Sequence, residues 1–418
     1  MTSLDPKKTI SINKNRLWRR LMEMADIGAT KKGGVCRVAL TDEDKAGRDL
    51  FVRWCREAGC NVTIDEMGNI FSRRAGLNND LPAVMTGSHL DSQPTGGKFD
   101  GVYGVLAGLE VIDTMNDNGI TTNRPVDVIS WTNEEGARFI PPMVASGVFA
   151  GVFDLSYGLS RTDGEGRTIG DELSRIGYAG NHPVGQRPIA AYFELHIEQG
   201  PVLEAQEKVV GVVTGVQGMR WYNLCVEGKA AHAGTTPMDR RFDPVMGATV
   251  ILSALYQLTA RFGPHARITF GSFQADPNVV NTVPGRLTIS IDLRHPEDEK
   301  LKELDTEMRA IVETECSRLG LKGRIDNYWY SPPVAFDPEC IDAVRKGVET
   351  IGASAMDLIS GAGHDAVYIS KIAPTGMIFI PCKDGLSHNE AEAITPVHAE
   401  AGCNVLLKAM LMTAGITG

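Results

Sequence analysis

Apolar residues recur at three- and four-residue spacing over residues 14–27, where Leu17, Leu21, Met24 and Ala25 fall on one face, and the spacing predicts a helix. Thr41 has the form of an N-cap, with Asp44 three residues on, and a second helix is expected over 45–58, stopped at Gly59. Segments 61–65 and 69–73 read as short strands around a Met67-Gly68 turn. Two short continuous apolar runs, 83–86 and Val126–Trp131, read as buried strands. The first runs straight into Gly87-Ser88-His89. Between the two runs, Gly101 opens a helix with small residues every three or four positions, which allows close packing on a sheet. Residues 191–197 alternate: Ala191, Phe193, Leu195 and Ile197 fall on one face, and Glu194, His196 and Glu198 on the other, because strand side chains have period two.

Past Gly215 the pattern changes. Residues 220–227 and 286–294 read as antiparallel strands, a helix is expected over 243–262, and a further helix over 298–319 ends at Gly320. Such a β-α-β-β-α pattern has the size of an inserted α+β domain. Trp329-Tyr330-Ser331-Pro332-Pro333 marks the return, and helix and strand alternation resumes over 337–418. The expected domains are therefore 1–215 with 330–418, and 216–329 inserted between them.

Composition narrows the partners. The 418 residues carry 42 Lys and Arg against 52 Asp and Glu, a formal charge of −10, which disfavours nucleic acid and anionic membrane. No stretch approaches the ~20 apolar residues of a membrane span. Residues 1–20 are polar and basic, without the apolar core of a secretory signal. The eight cysteines show no CxxC spacing and mostly apolar surroundings, as expected of reduced thiols in a cytoplasmic protein.

The chemistry is carried by five separated segments: His89-Leu90-Asp91, Asp100-Gly101, Glu134-Glu135-Gly136, Glu194-Leu195-His196 and Ser387-His388-Asn389. Three of the chain's nine histidines lie in them. Each is read as following or ending a strand-like run, and strand ends are where an α/β fold gathers side chains into one crevice. Mixed His and carboxylate sets suit an open catalytic site for a divalent transition metal. Asp91 is placed to accept a hydrogen bond from the His89 ring nitrogen that does not face metal. Asp100 fits either a helix N-cap or a carboxylate bridging two ions. Glu134 and Glu135 fit either an acidic turn or a pair in which one ligates and the other is a general base. His196 alone could be a packed core histidine, but the acidic face it shares with Glu194 and Glu198 needs metal or partners.

The segments, with Gly97-Lys98-Phe99-Asp100-Gly101, Gly228-Lys229-Ala230-Ala231-His232-Ala233-Gly234, Gly361-Ala362-Gly363-His364-Asp365-Ala366 and Glu194-Leu195-His196-Ile197-Glu198-Gln199-Gly200-Pro201, run in the same order as in a known family. The chain resembles the metal-dependent aminoacylase and carboxypeptidase superfamily, peptidase family M20, and most closely its hydantoinase/carbamoylase-type amidases. Histidine at position 196, where the wider superfamily has Asp or Glu, points to that branch, which contains N-carbamoyl-L-amino acid amidohydrolases, β-ureidopropionase and allantoate amidohydrolase.

The resemblance implies an α/β fold: a mixed-sheet catalytic domain with helices on both faces, and an inserted α+β domain serving as lid and dimer surface. It implies two divalent ions per subunit, zinc or else manganese or cobalt, one held by His89, Asp100 and His196 and the other by Asp100, Glu135 and His388. Glu134 would be the general acid/base. His232 would polarise the scissile carbonyl from the partner subunit of a homodimer. Asn281 and Arg294 would grip the substrate carboxylate, and Gln199, Gly363 and His364 would line its carbamoyl end. Arg294 ends a strand on the face of Asp292, so it reads as a bidentate carboxylate clamp or as an ion pair with Asp292. His182, His265, His295 and His398 read as surface residues. The expected reaction is hydrolysis of an N-carbamoyl amino acid to amino acid, carbon dioxide and ammonia. Allantoate hydrolysis is the nearest alternative, followed by N-acyl deacylation or peptide hydrolysis, and last by carboxylate binding without catalysis.

Overall fold

The computed structural model describes residues 10–416. Its strands, in chain order, are β1 (Asn61–Ile64), β2 (Ile70–Arg74), β3 (Ala83–His89), β4 (Val126–Trp131), β5 (Ile189–Ile197), β6 (Val210–Val216), β7 (Gly218–Glu227), β8 (Ala231–His232), β9 (Arg267–Asp276), β10 (Thr282–Val283), β11 (Arg286–His295), β12 (Lys322–Ser331), β13 (Val334–Ala335), β14 (Ala355–Ser360) and β15 (Thr375–Ile380). The chain divides into two compact units. One runs to Thr214 and resumes at Ala335; the other is Gly215–Val334.

The first unit is built on a nine-stranded mixed sheet in the order β1-β2-β4-β3-β5-β15-β6-β13, with β14 beside β6. The centre is parallel: β3 pairs with β4 and β5, and β5 with β15. After β3 the chain first adds β4 on one side and later β5 on the other, so the crevice at the C-terminal ends of β3 and β5 is a topological switch point, where α/β sheets bind ligands. These central strands are buried on both faces. Leu195 faces the helices Val102–Asp117 and Pro396–Ala414, where Gly104 and Gly402 let the helix backbones approach β5. Glu194, the adjacent residue, points to the other face, against the start of the short helix Ala366–Ile369.

The inserted unit is a four-stranded antiparallel sheet, β12-β7-β11-β9, with the helices Pro244–Arg261 and Asp298–Arg318 on one face. Tyr222, Leu224, Val226, Leu287, Ile289, Ile291 and Leu293 meet Ile251, Leu255, Leu304 and Met308 there. Alternation along β11 puts Asp292 and Arg294 on the opposite face. Of the edge strands, β9 is implied by the β-α-β-β-α pattern without bounds and β12 was not legible: their outer positions are polar and mostly exposed, so the apolar period is weak. A separate ribbon pairs β8 with β10. His295 corrects a surface expectation. It is 1% exposed, and its Nδ1 accepts from Glu297 N at 2.9 Å. All eight cysteines are free thiols, six of them buried. Among the described residues no helix is long and apolar enough to cross a membrane.

Candidate active site

Local backbone geometry at the strand ends sets the site. His89 is the last residue of β3. Asp100 is not the N-cap of the following helix; that position is Gly101, which makes no side-chain cap. Gly101 has φ +67°, and a Cβ there would lie 2.4 Å from His89 Nε2, so glycine is required on both counts. The Asp100 carboxylate is thereby left to face the histidines. After β4, Asn133 takes φ +55°, a left-handed turn that Asn tolerates, and delivers Glu134 and Glu135. His388 also sits at positive φ, +52°, in a loop.

Two ligand groups result, sharing Asp100. In the first, Asp100 Oδ1 lies 3.2 Å from His196 Nε2 and 3.7 Å from His89 Nε2. In the second, Asp100 Oδ2 lies 3.5 Å from His388 Nε2, and Glu135 Oε2 lies 3.3 Å from that nitrogen. The ligating atoms of each group lie within 4.8 Å of one another. Glu134 Oε2 is 3.4 Å from His89 Nε2. The first group is buried, whereas the His388 side chain is 51% exposed.

The hydrogen bonds fix the tautomers of the buried pair. His89 Nδ1 is 2.9 Å from the main-chain carbonyl of Asp91, and His196 Nδ1 is 2.9 Å from that of Ile197. A carbonyl oxygen only accepts, so each Nδ1 carries the proton and each Nε2 presents a lone pair. His196 Nε2 additionally accepts from Gly101 N at 3.2 Å. Two lone pairs directed at one carboxylate oxygen repel unless a cation lies between them. The donor set therefore fits a divalent transition metal.

The electrostatics point to the same need for positive charge between these groups. Burial pushes Asp100 up, but the imidazoles of His196, His89 and His388 outweigh it and hold the carboxyl far below its usual range. Burial pulls His196 down, and Asp100 outweighs that, leaving the imidazole above its ordinary value. His89 is pulled down to about 4 by burial. Glu134 is pushed well up by burial and by the carboxylates of Asp365, Glu135, Asp91 and Asp100; Glu135 follows through burial, Asp100 and Asp91. Such a gathering of acids in a dry crevice is relieved by added positive charge.

Asp91 departs from expectation. The His89 ring is held by its main-chain carbonyl, and its carboxylate turns away to accept from Glu134 N and Glu135 N, each at 3.3 Å. The physical reason is the left-handed turn at Asn133, which points two main-chain N–H groups at Asp91. Glu198 also leaves the expected face: β5 ends at Ile197, and the Glu198 carboxylate accepts from Val202 N and Leu203 N. Glu194 finds its partners in Ser88 Oγ, Tyr192 OH and Ala366 N.

Of the expected substrate residues, Gln199 donates to Asp100 Oδ2 at 2.9 Å, and the His364 ring lies 4.6 Å from that of His196, its Nε2 bonded to Ser360 Oγ. Gly363, just before His364, is half-buried. His232, Asn281 and Arg294 lie in the inserted unit. Thr282 pairs with His232, so the β8–β10 ribbon brings His232 and Asn281 together, both exposed. His232 Nδ1 accepts from Gly234 N and Thr235 N, so its proton sits on the outer Nε2. Arg294 forms the ion pair with Asp292, with Nη2 2.6 Å from Oδ2.

Three contributors were not singled out as site residues in the sequence, Ser387 appearing there only as the neighbour of His388. Gln93 Nε2 donates to Glu135 Oε2 at 2.8 Å. Ser387 Oγ donates to Asp100 Oδ2 at 2.8 Å. Glu392 accepts from Asp100 N at 3.1 Å. Ser387 and Glu392 flank His388 in sequence, and only the run of polar residues there could have drawn attention to them.

Sheet, switch-point crevice and acidic–imidazole centre together define a metal-dependent hydrolase. Residues 85–412 match peptidase family M20/M25/M40, and the chain belongs to that family. It is 48% identical over 411 residues to an N-carbamoyl-L-amino-acid amidohydrolase of Rhizobium meliloti, covering 98% of this chain and 99% of that one. An allantoate amidohydrolase of Bacillus subtilis is 32% identical, with 96% and 97% covered. The crystal structure of a hydantoinase/carbamoylase family amidase from Burkholderia multivorans superposes with a TM-score of 0.93 at 56% identity, covering 97% and 99%.

Proposed function

We propose that the protein hydrolyses the carbamoyl group of an N-carbamoyl amino acid, releasing the amino acid, carbon dioxide and ammonia. The observation that carries this reading is the pair of ligand groups sharing Asp100 with Glu134 beside them, in a chain so similar to an N-carbamoyl-L-amino-acid amidohydrolase. His89, Asp100 and His196 would hold one divalent ion, and Asp100, Glu135 and His388 a second; zinc, manganese and cobalt suit these ligands. Bound there, the ions would supply Lewis acidity toward the ureido carbonyl and acidify water.

The chain's own groups do the rest. Glu134, held by Asp91 through its main-chain N–H, takes a proton from the attacking water and returns it to the leaving nitrogen. His232, with its proton on the outer nitrogen, donates to the developing oxyanion from the inserted domain of a second copy. Arg294 exchanges Asp292 for the substrate carboxylate, and Asn281 assists. Gln199, Gly363 and His364 border the carbamoyl end. Residues 1–215 and 330–418 act as the catalytic domain and 216–329 as lid and dimer surface. A homodimer is supported by the outer edge of β9, unpaired among the described residues, and by exposed Val245, Met246 and Tyr256 on the helix Pro244–Arg261. Solution in the cytoplasm is the expected setting.

Ammonia release is the test, from N-carbamoyl-L-methionine, N-carbamoyl-β-alanine and allantoate side by side, with Mn²⁺ or Zn²⁺ added and after chelation. An N-carbamoyl amino acid should be the fastest substrate, and chelation should abolish turnover. Allantoate as the fastest substrate would transfer the assignment to allantoate hydrolysis, which the same centre supports. Undiminished activity in metal-free protein would end the metal reading.

A further inference from the structure

Glu392 lies four residues beyond His388 and has no place in the chemistry above. It is 4% exposed, and its two oxygens have different tasks. Oε1 accepts from two consecutive main-chain donors, Phe99 N at 2.9 Å and Asp100 N at 3.1 Å. Oε2 lies 3.4 Å from Ser387 Oγ, which is also 2.8 Å from Asp100 Oδ2. The hydroxyl has one proton, and the shorter contact takes it, so Ser387 donates to Asp100. The Glu392 carboxyl lies flat on Gly97, where a Cβ would come within 2.0 Å of Cδ. One buried side chain thus joins the backbone of the shared carboxylate to the loop that carries His388.

The two ligand groups depend on this junction unequally. His89 and His196 belong to β3 and β5 and stand without it. Glu135 is held by Asp91 and Gln93. The second group takes both Asp100 Oδ2 and His388 from the segments that Glu392 joins; the first takes only Asp100 Oδ1. We propose that Glu392 is a positioning residue that sets the affinity of the Asp100–Glu135–His388 group for its ion, with little influence on the His89–Asp100–His196 group. This rests on the two-ion reading above. Residues that orient metal ligands from behind change affinity by about 10–100-fold when removed.

The test is titration of metal-free protein with Co²⁺ alone, read by calorimetry and by the visible cobalt spectrum, on the wild type, Glu392→Ala, Glu392→Gln, His388→Ala and Thr30→Val. Thr30 Oγ1 donates to Glu390 at 2.6 Å, so its removal loosens the same loop without touching the junction. Wild type should take two ions. Glu392→Ala should bind one with near-normal affinity and the other about 10–100-fold more weakly, the retained ion matching the spectrum of His388→Ala. Thr30→Val should resemble wild type. Glu392→Gln, which keeps an acceptor for the two main-chain donors, should be intermediate, and carries the test if the alanine variant does not fold. Equal weakening of both ions, or none, overturns the proposal. A wild type that takes up a single ion overturns the two-ion reading and the proposal with it, and that outcome is distinct from a two-ion wild type matched by its variant.

Discussion

The two ligand groups share a carboxylate and differ in almost everything else. The His89–Asp100–His196 group is buried and takes both imidazoles from adjacent parallel strands, each ring fixed by its Nδ1 on a main-chain carbonyl. The Asp100–Glu135–His388 group takes a turn residue and a loop residue, and its imidazole is half-exposed. Sheet geometry preorganises the first; hydrogen bonds between loops assemble the second. A centre of this kind should have one firm ion and one conditional ion.

The adjacent carboxylates Glu134 and Glu135 give the sharpest contrast, because one lies toward each group. Glu134→Gln should retain both ions and lose at least ~10²-fold in turnover, since an amide can hydrogen-bond water but cannot take its proton. Metal analysis beside kcat measures this, and near-normal turnover at full metal content would remove Glu134 from the mechanism. Glu135→Gln should instead lose the second ion.

Histidine deletions should break the symmetry further. His196→Ala is expected to destabilise the metal-free protein by about 1–3 kcal/mol, because it opens a cavity and strands Gly101 N and the Ile197 carbonyl. His388→Ala, at a half-exposed loop position, should stay within about 0.5 kcal/mol. Denaturant unfolding without metal compares them; equal losses would deny the difference in preorganisation. Gly101→Ala should also strike the firm group, at about 1–3 kcal/mol, from strain at positive φ and contact with His89. Gly352→Ala, also at positive φ but in open space, is the control that isolates the contact, and it should cost less.

The smallest effect concerns pH. Burial raises Asp91 to about 7 and Glu392 to about 8. Both carboxyls bind protons more readily folded than unfolded, so they favour the folded state at low pH, and that contribution is lost as pH rises through 7 and 8. Metal-free protein should therefore become slightly more stable as pH falls from 8 to about 7.5, above the range where the imidazoles of His89 and His364, which burial holds neutral, oppose the trend. Metal-loaded protein should show the reverse, because protons compete with the ions for their ligands. A Tm that falls with pH in both forms would contradict this account.

Side chains that act through their own residue type were legible in the sequence. The five candidate ligands lie in short motifs, those of His89 and His196 at strand ends, and the structure brings all five together. Groups that act on the main chain were not legible. Spacing places the Asp91 carboxylate near the His89 ring but shows proximity and not direction, and in the structure it binds two amide N–H groups instead. Glu392 works the same way. In the fold, the central strands announced themselves as apolar runs, whereas β9 and β12, at the sheet edges with exposed outer positions, showed too little contrast to be given bounds. The burial of His295 depends on packing within the inserted unit, which no local pattern reveals.

The exposed imidazole of His388 has a practical consequence at the bench. With the two ions proposed above in place, each gel filtration or overnight dialysis would strip the ion at the rim sooner than the one behind it. Specific activity will then record a sample's handling as much as its sequence, and progress curves started by adding metal should show a lag as the rim refills. Rates are comparable between laboratories only when free metal is buffered throughout the assay, and a storage buffer containing citrate would make a sound preparation look like a poor enzyme.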